Sequence, residues 1–351
     1  MEAPATDAPA AASVTAVVAT RNRPEQLRRA LTAILEQDHP GPLECLVVFD
    51  QSEPHDLGLP DHLAEHLTEH LTERPAEQLT ENEQPAEPQS DTSPTTGPPR
   101  RTVRILRNTR TPGLPGARNT GITQATGEFV AFCDDDDEWL PGKLRAQFEQ
   151  LRHHPEASAV ASGILVHFRG QDRPRLPTAE SLSHADFLRD RQMAVHPSTL
   201  VFRRADLLDE TAGIGLVDEE IPGGYGEDYD LLLRAARRAP VIAVSRPQVR
   251  VYWHESSYFF DRWQTIVNAL GYLLRKHPEF AGDRAGLARL HGQIAFAYAG
   301  MGQRRPARAH AVRALRGNWR EKRSVLALLV STGLVRAQFL SNLSHRFGRG
   351  I

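Results

Sequence analysis

The chain has 351 residues, a formal net charge of −2, 40% hydrophobic residues and 25% charged residues. That balance supports a packed core of one large or two modest domains and argues against a nucleic-acid partner. Its only two cysteines, Cys45 and Cys133, sit in apolar runs and read as buried thiols of a reducing compartment, not a disulfide framework.

The first twelve residues are rich in Ala and Pro and lack a basic segment followed by an apolar one. They read as a disordered lead-in, not a signal peptide. No apolar run reaches the ~18 residues of a spanning helix. A cytoplasmic protein is expected.

Val14–Ala19 is an apolar run and reads as a strand. Pro24–Glu36 has helical periodicity, with Pro24 suited to the first turn. Leu43–Phe49 and Val103–Arg107 read as strands. Pro115–Thr126 reads as a helix, Phe129–Cys133 as a strand and Pro141–Leu151 as a one-sided helix. The alternation implies a mostly parallel sheet covered on both faces.

Gln51–Arg100 interrupts this pattern with eleven acidic residues, two basic residues and eight prolines. Such a stretch buries too little apolar surface to offset chain entropy. It reads as a disordered or partly helical insertion in a surface loop. His62, His66 and His70 recur there at helical spacing, which suits a solvated face better than a metal site.

Farther on, Ala159–Phe168, Ser198–Phe202 and Val249–Trp253 read as strands and Tyr229–Arg238 as a helix. From Arg262 the pattern is helical. Leu290–Leu315 reads as an αα-hairpin turning near Gly302, and its spacing resembles one tetratricopeptide unit. Met301–Ile351 carries eleven Lys/Arg and one acidic residue. This tail suits either peripheral contact with an anionic membrane or a solvated face packed on the main domain. The expected organisation is a lead-in (1–12), an α/β domain (13–260, with insertion 51–100) and a helical region (261–351).

Two places carry chemistry. The apolar strand Phe129–Cys133 runs directly into Asp134, Asp135, Asp136 and Asp137, followed by Trp139 and Pro141. Ligands of open α/β sheets bind beyond the carboxyl ends of strands. Clustered carboxylates repel unless a cation neutralises them, and oxygen ligands favour Mg²⁺ or Mn²⁺. Gly223-Gly-Tyr-Gly-Glu-Asp-Tyr-Asp230 places a carboxylate pair at a helix start, where acidic residues are also ordinary capping groups.

Taken together, the motifs resemble family 2 glycosyltransferases, an inverting family with the GT-A fold. The run Asp134 to Pro141 is similar to that family's Asp-x-Asp-Asp segment, with Asp134 and Asp136 as its Asp-x-Asp signature. Thr20-Arg21-Asn22-Arg23-Pro24 is similar to the family's nucleotide-side opening. Asp50, ending a strand, matches its base-binding Asp, and Ala117-Arg118-Asn119-Thr120-Gly121 matches its Ala-Arg-Asn-x-Gly helix.

The resemblance implies a Rossmann-like mixed sheet with helices on both faces, and a C-terminal helical appendage. It implies metal ligation by Asp136 with Asp134, donor contacts from Thr20, Arg21, Asp50, Arg118, Asp134 and Asp135, and a supporting role for Asp137. Asp228 becomes the general base, with Glu227 orienting the acceptor. His254 becomes a further candidate metal ligand, and His196 a structural or acceptor-side residue. The implied partners are a nucleotide-diphosphate sugar, most simply a UDP-sugar, and an acceptor hydroxyl on a glycan, lipid-linked sugar or small metabolite. The Gln-x-x-Arg-Trp motif of processive synthases is absent, since Phe259 stands three residues before Arg262.

Two rivals follow from the same residues. A sugar-phosphate nucleotidyltransferase would need a Gly-rich loop where Thr20-Arg21-Asn22 stands. A non-catalytic scaffold would have no need of Asp50, Arg118, Asp134, Asp136 and Asp228 together.

Overall fold

Unbroken apolar runs form the centre of the sheet. β1 (Val14–Thr20) is almost wholly buried and β2 (Leu43–Phe49) is buried at every position, as strands covered on both faces require. The structure is a computed structural model that describes residues 12–69, 99–253, 262–333 and 335.

In chain order, α1 (Pro24–Leu35) joins β1 to β2, and α2 (Asp61–Ala64), β3 (Leu67–Glu69) and β4 (Arg101–Arg107) follow. Next come α3 (Leu114–Gln124), β5 (Phe129–Asp134), β6 (Asp137–Trp139), α4 (Lys143–His153), β7 (Ala159–Phe168) and β8 (Gln171–Arg175). They are followed by β9 (Ser181–Leu182), α5 (His184–Arg189), β10 (Val201–Arg203), α6 (Arg204–Leu208), α7 (Glu227–Arg238) and β11 (Val241–Tyr252). The helices α8 (Trp263–Lys276), α9 (Arg284–Gly300), α10 (Arg304–Gly317) and α11 (Lys322–Ser331) complete the order.

Among the described residues these strands form one eleven-stranded sheet, ordered β3-β4-β2-β1-β5-β10-β7-β11-β6, with β8 on β7 and β9 on β11. The pairs β3–β4, β4–β2, β2–β1, β1–β5 and β7–β11 are parallel. β10 and β6 enter antiparallel. The sheet is therefore mixed, and the carboxyl ends of β1, β2 and β5 lie along one edge.

The period of two along β1 divides the core. Val14, Ala16 and Val18 pack with Leu27, Leu31 and Ile34 of α1 and Leu144 and Phe148 of α4. Val17 belongs to the other cluster, with Ala117 and Ile122 of α3, Leu232 of α7, and Leu270 and Leu273 of α8. The C-terminal helices thus share the second core cluster, while Ala295, Phe296, Ala307, Ala311 and Ala327 close a third one between α9, α10 and α11.

Several expected boundaries shift for local reasons. The strand expected at Ser198 starts at Val201, because Pro197–Thr199 forms a 3₁₀ turn. β11 begins at Val241, well before Val249, and its register with β7 breaks on both sides of Pro247. Proline lacks a ladder donor and is accommodated at such an irregularity. α2 ends at Ala64, so His62 and His66 do not share a continuous helix; His70 lies outside the described residues, as do most of the acidic insertion and the lead-in.

Gly121 fixes the approach of α3 to β1. A Cβ there would lie 2.3 Å from Val17 Cγ1. Gly121→Ala would gain about 1 kcal/mol of helix propensity and lose about 1–3 kcal/mol to overpacking. A lowered urea midpoint is the expected outcome. An unchanged or raised midpoint would mean that α3 is not pressed against β1 as described.

Candidate active site

The four aspartates do not form one solvated loop. β5 ends at Asp134 and β6 starts at Asp137, which pairs with Val251 of β11. Burial alternates across the turn: Asp135 and Asp137 are buried, Asp134 and Asp136 partly exposed. Ser198 ties the two strand ends together. Its hydroxyl accepts from the Asp134 amide at 3.0 Å and donates to Asp137 Oδ2 at 2.5 Å.

Asp134, Asp137 and His196 present ligand atoms that all lie within 4.8 Å of one another. The imidazole Nδ1 of His196 is 3.3 Å from Asp137 Oδ2. Burial, with the charges of Asp134 and Asp136, pushes Asp137 well above the usual carboxylate range. Burial also lowers the pKa of His196, so its imidazole is held neutral with a lone pair available. Two carboxyl groups and a neutral imidazole converging in this way make a ligand set that fits a divalent cation.

The aspartates expected as ligands divide differently from the motif's reading. Asp136 lies outside this group, with its Oδ2 2.8 Å from Arg23 Nη1. His254 lies outside the described residues. His196, expected as structural or acceptor-side, stands in the acidic group itself.

The residues expected on the nucleotide side lie at the ends of β1 and β2. Thr20 donates to Asp135 Oδ2 at 2.8 Å, and Arg23 reaches Asp135 Oδ1 at 3.1 Å. Burial, with the neighbouring aspartates, pushes Asp135 up to about 6 in spite of those partners. Asp50 accepts from Asn108 Nδ2 at 2.8 Å, the Gly113 amide at 3.0 Å and Gln51 Nε2 at 2.9 Å. Burial works to raise its pKa, but these bonds hold it below the usual value. Asn22 (φ 54°) and Gln51 (φ 49°) turn the chain in the left-handed region just after the two strands. Arg21 is exposed beside them.

A single guanidinium joins the two acidic centres. Arg118, 3% exposed, donates from Nη2 to Asp134 Oδ1 at 2.7 Å and from Nη1 to Glu227 Oε1, a residue 109 positions away. Burial opposes its charge, yet Asp134, Glu227 and Asp228 raise its pKa further.

At the start of α7, Gly226 (φ 86°) turns the chain so that Glu227 and Asp228 open the helix. Burial and the Asp228 charge push Glu227 up to about 7, against Arg118 and Arg191. Asp228 behaves oppositely. Burial would raise it, but Arg191 Nη2 contacts both its oxygens, at 2.7 and 2.6 Å, and holds it below the usual range. Asp228 is thus ionised at neutral pH. Asp230 is committed elsewhere, bonded to Arg234, Lys276 and His277.

Residues 98–210 match the family described as Glycosyl transferase family 2. That segment, which holds the acidic strand end, is thus similar to family 2 glycosyltransferases. The family match includes Arg118, Asp134, Asp137 and His196, and stops before Glu227 and Asp228.

Amylovoran biosynthesis glycosyltransferase AmsB of Erwinia amylovora is 30% identical over 142 residues, covering 37% of this chain and 43% of that protein. The Escherichia coli UDP-Glc:alpha-D-GlcNAc-diphosphoundecaprenol beta-1,3-glucosyltransferase WfgD is 41% identical over 49 residues, 14% of this chain and 19% of its own length. The chain thus spans less than half the length of these curated relatives. The solved structure of S. aureus TarS 1-349 in complex with UDP-GlcNAc superposes with a TM-score of 0.55 at 16% identity, covering 96% of this chain and 92% of that one. The fold is that of the GT-A glycosyltransferases.

Beside Asn119 of the Ala-Arg-Asn-x-Gly helix, the structure brings in residues that no spacing announced. Asn119 and Glu219 clamp the segment leading to the Gly-rich loop. Asn119 bonds the Val217 carbonyl at 2.8 Å and Glu219 Oε1 at 2.6 Å. Glu219 also accepts from Arg110 and Thr111, and these bonds overcome its burial to lower it to about 2. Arg191 and Ser198 carried no signal in the sequence beyond being polar residues near His196.

The raised pKa of Asp137 has a testable sign. A carboxyl whose folded pKa lies above its unfolded one stabilises the fold below the unfolded pKa. That contribution is lost as pH rises through the folded value. In chelator, Asp137→Asn should therefore gain thermal stability over the parent at pH 8 and not at pH 4. Added Mn²⁺ should stabilise the parent at pH 8 and not the variant. Equal melting shifts at both pH values would remove the repulsion argument.

Proposed function

We propose that the chain moves a sugar from a nucleotide-diphosphate sugar, a UDP-sugar, to an acceptor hydroxyl with inversion at the anomeric carbon, in glycan assembly. The observation that carries this reading is the Arg118 bridge. It makes the acidic strand end and the α7 carboxylates one site with two sides. The donor assigned to WfgD in its name supports the choice of UDP.

On the donor side, Asp50 is oriented by three hydrogen bonds and keeps acceptor capacity for a base N–H. Thr20 and Arg23 fix Asp135 beside the ribose position, and Arg21 stands at the phosphate side. Mg²⁺ or Mn²⁺ would be held by Asp134, Asp137 and His196, and when bound supplies Lewis-acid stabilisation of the leaving diphosphate. Arg118 holds Asp134 in place and balances Glu227.

On the acceptor side, Asp228 is the general base. The acceptor oxygen attacks the anomeric carbon, the bond from that carbon to the diphosphate oxygen breaks, and the hydroxyl proton passes to Asp228. Arg191 keeps Asp228 ionised and fixes the carboxylate plane. Glu227 orients the acceptor through its shared contact with Arg118.

Among the described residues no helix is long and apolar enough to cross a membrane. Exposed Trp319, Val325 and Leu329 lie among the Lys and Arg of α10 and α11 and support peripheral contact with an anionic surface.

The test is release of nucleotide from a panel of UDP-, GDP- and dTDP-sugars, with Mn²⁺ or with chelator. Metal-dependent release from UDP-sugars is expected, lost in Asp134→Asn and Asp137→Asn. Transfer to an acceptor should fall about 10²–10⁴-fold in Asp228→Asn. If no donor is turned over and no nucleotide shifts the melting temperature, the protein is a scaffold.

A further inference from the structure

The segment that leads to the α7 carboxylates is pinned residue by residue. The side chain of Asn119 bonds both backbone polar groups of Val217, donating to the carbonyl at 2.8 Å and accepting from the amide at 2.9 Å. Asp218 accepts from Tyr272 Oη at 2.8 Å and from Lys276 Nζ at 2.5 Å, both on α8. Glu219 instead reaches the loop between β4 and α3. Its Oε1 accepts from Asn119 Nδ2 at 2.6 Å and Arg110 Nε at 2.5 Å. Its Oε2 accepts from Thr111 Oγ1 at 2.5 Å and the Thr111 amide at 3.2 Å. One carboxylate thus takes four donors, close to its full capacity.

The loop that Glu219 holds is also the one that orients Asp50. Asn108 Nδ2 donates to Asp50 Oδ1 at 2.8 Å and to the Thr111 carbonyl at 2.9 Å. Asn108 Oδ1 accepts from the Arg110 amide at 3.0 Å, and the Gly113 amide reaches the same Asp50 oxygen at 3.0 Å. A continuous series of hydrogen bonds therefore runs from Asp50 through Asn108 and Thr111 to Glu219.

Beyond Glu219 the chain is free to pivot. Gly223, Gly224 and Gly226 take φ values of 63°, 68° and 86°, in the region that glycine enters without steric cost. The 3₁₀ turn Pro222–Gly224 lies between, and Glu227 and Asp228 follow directly. A Cβ on Gly224 would lie 3.3 Å from Pro115 Cδ, so the turn also leans on the start of α3, two residues past Gly113. With so little regular structure of its own, this turn takes its place from what holds its ends. Glu219 lies on one side of it, and Asp228, gripped by Arg191, on the other.

We propose that Glu219 is a positioning residue that transmits occupancy of Asp50 by the nucleotide base to the Gly-rich turn, and so to the acceptor-side carboxylates. This rests on the transferase reading above and deepens it. A base N–H donated to Asp50 immobilises that carboxylate, and Asn108 and Gly113 are fixed with it. Thr111 and Glu219 then hold the turn in one place, and Asp228 meets the acceptor in a defined position. The diphosphate, at the acidic strand end, lies off this series. Glu219 acts through other residues and not on the reacting atoms.

The test is hydrogen–deuterium exchange of the full chain, read by mass spectrometry on the segment 220–226. It is run with Mn²⁺ alone, with Mn²⁺ and saturating UDP, and with Mn²⁺ and saturating inorganic pyrophosphate. In the parent, UDP should slow exchange of this segment about fivefold or more, and pyrophosphate should not. Glu219→Gln keeps the size of the side chain but offers one acceptor oxygen to four donors. At saturating UDP it should lose the slowing, and with a UDP-sugar it should lower kcat more than it raises KM. Circular dichroism and melting temperature show that the variant is folded. If it is not, Arg110→Gln removes one charged donor from the exposed side of the clamp and serves in its place. Equal slowing by pyrophosphate overturns the relay, and so does slowing by UDP that persists in the folded variant. UDP binding by the parent without slowing removes only the relay. No UDP binding by the parent removes the transferase reading and the relay with it.

Discussion

The arrangement depends on the buried Arg118 guanidinium. Asp134, Glu227 and Asp228 would repel one another, and Arg118 sits between Asp134 and Glu227 with a hydrogen bond to each of these two. An uncompensated charge at such depth is strongly destabilising, so the carboxylates and the arginine require one another. The bridge in turn needs α3 close against β1. Gly121 permits that approach by having no side chain to meet Val17. A packing requirement in the core thereby sets the electrostatics of the site.

The sheet then sorts the acids by role. Parallel strands bring Thr20, Asp50 and Asp134 to one edge. Antiparallel pairing of β6 with β11 removes Asp137 from the loop and buries it. The result is a graded set. Asp137 and Asp135 are raised by burial, Asp50 is lowered by hydrogen bonds, and Asp228 is lowered by Arg191. Groups of one residue type thus have separate protonation behaviour, the usual means by which neighbouring acids take different tasks.

The helices after β11 are continuous with this design. Leu270 and Leu273 of α8 enter the core cluster that contains Val17. A Cβ on Gly226, the residue before Glu227, would lie 3.3 Å from Leu273 Cδ1. The turn carrying Glu227 and Asp228 is therefore seated on α8.

Much of the fold was legible in the sequence because the apolar pattern that drives it is local. β2 and β7 occupy the residues their patterning marks, and α1 and α3 lie within a residue or two of expectation. β11 was legible only in its last third, because Ser245-Arg246-Pro247 breaks the apolar run where the strand is irregular. The residue types of the site were legible too: aspartates after a buried strand, a carboxylate pair after glycines, and one Arg in a helix motif. Their division of labour was not. The run Asp134–Asp137 looks alike along the chain, and only the turn into β6 sends Asp136 to Arg23 and Asp137 toward His196. Arg191 meets Asp228, Arg118 meets Glu227 and Asn119 meets Glu219 across 37, 109 and 100 residues. By itself, then, the sequence determined which segments are buried and which kinds of groups end them, since burial follows from each segment's own composition. Which charge faces which was decided by the tertiary structure alone, because electrostatic pairing acts through distances that only the closed sheet and its helices create.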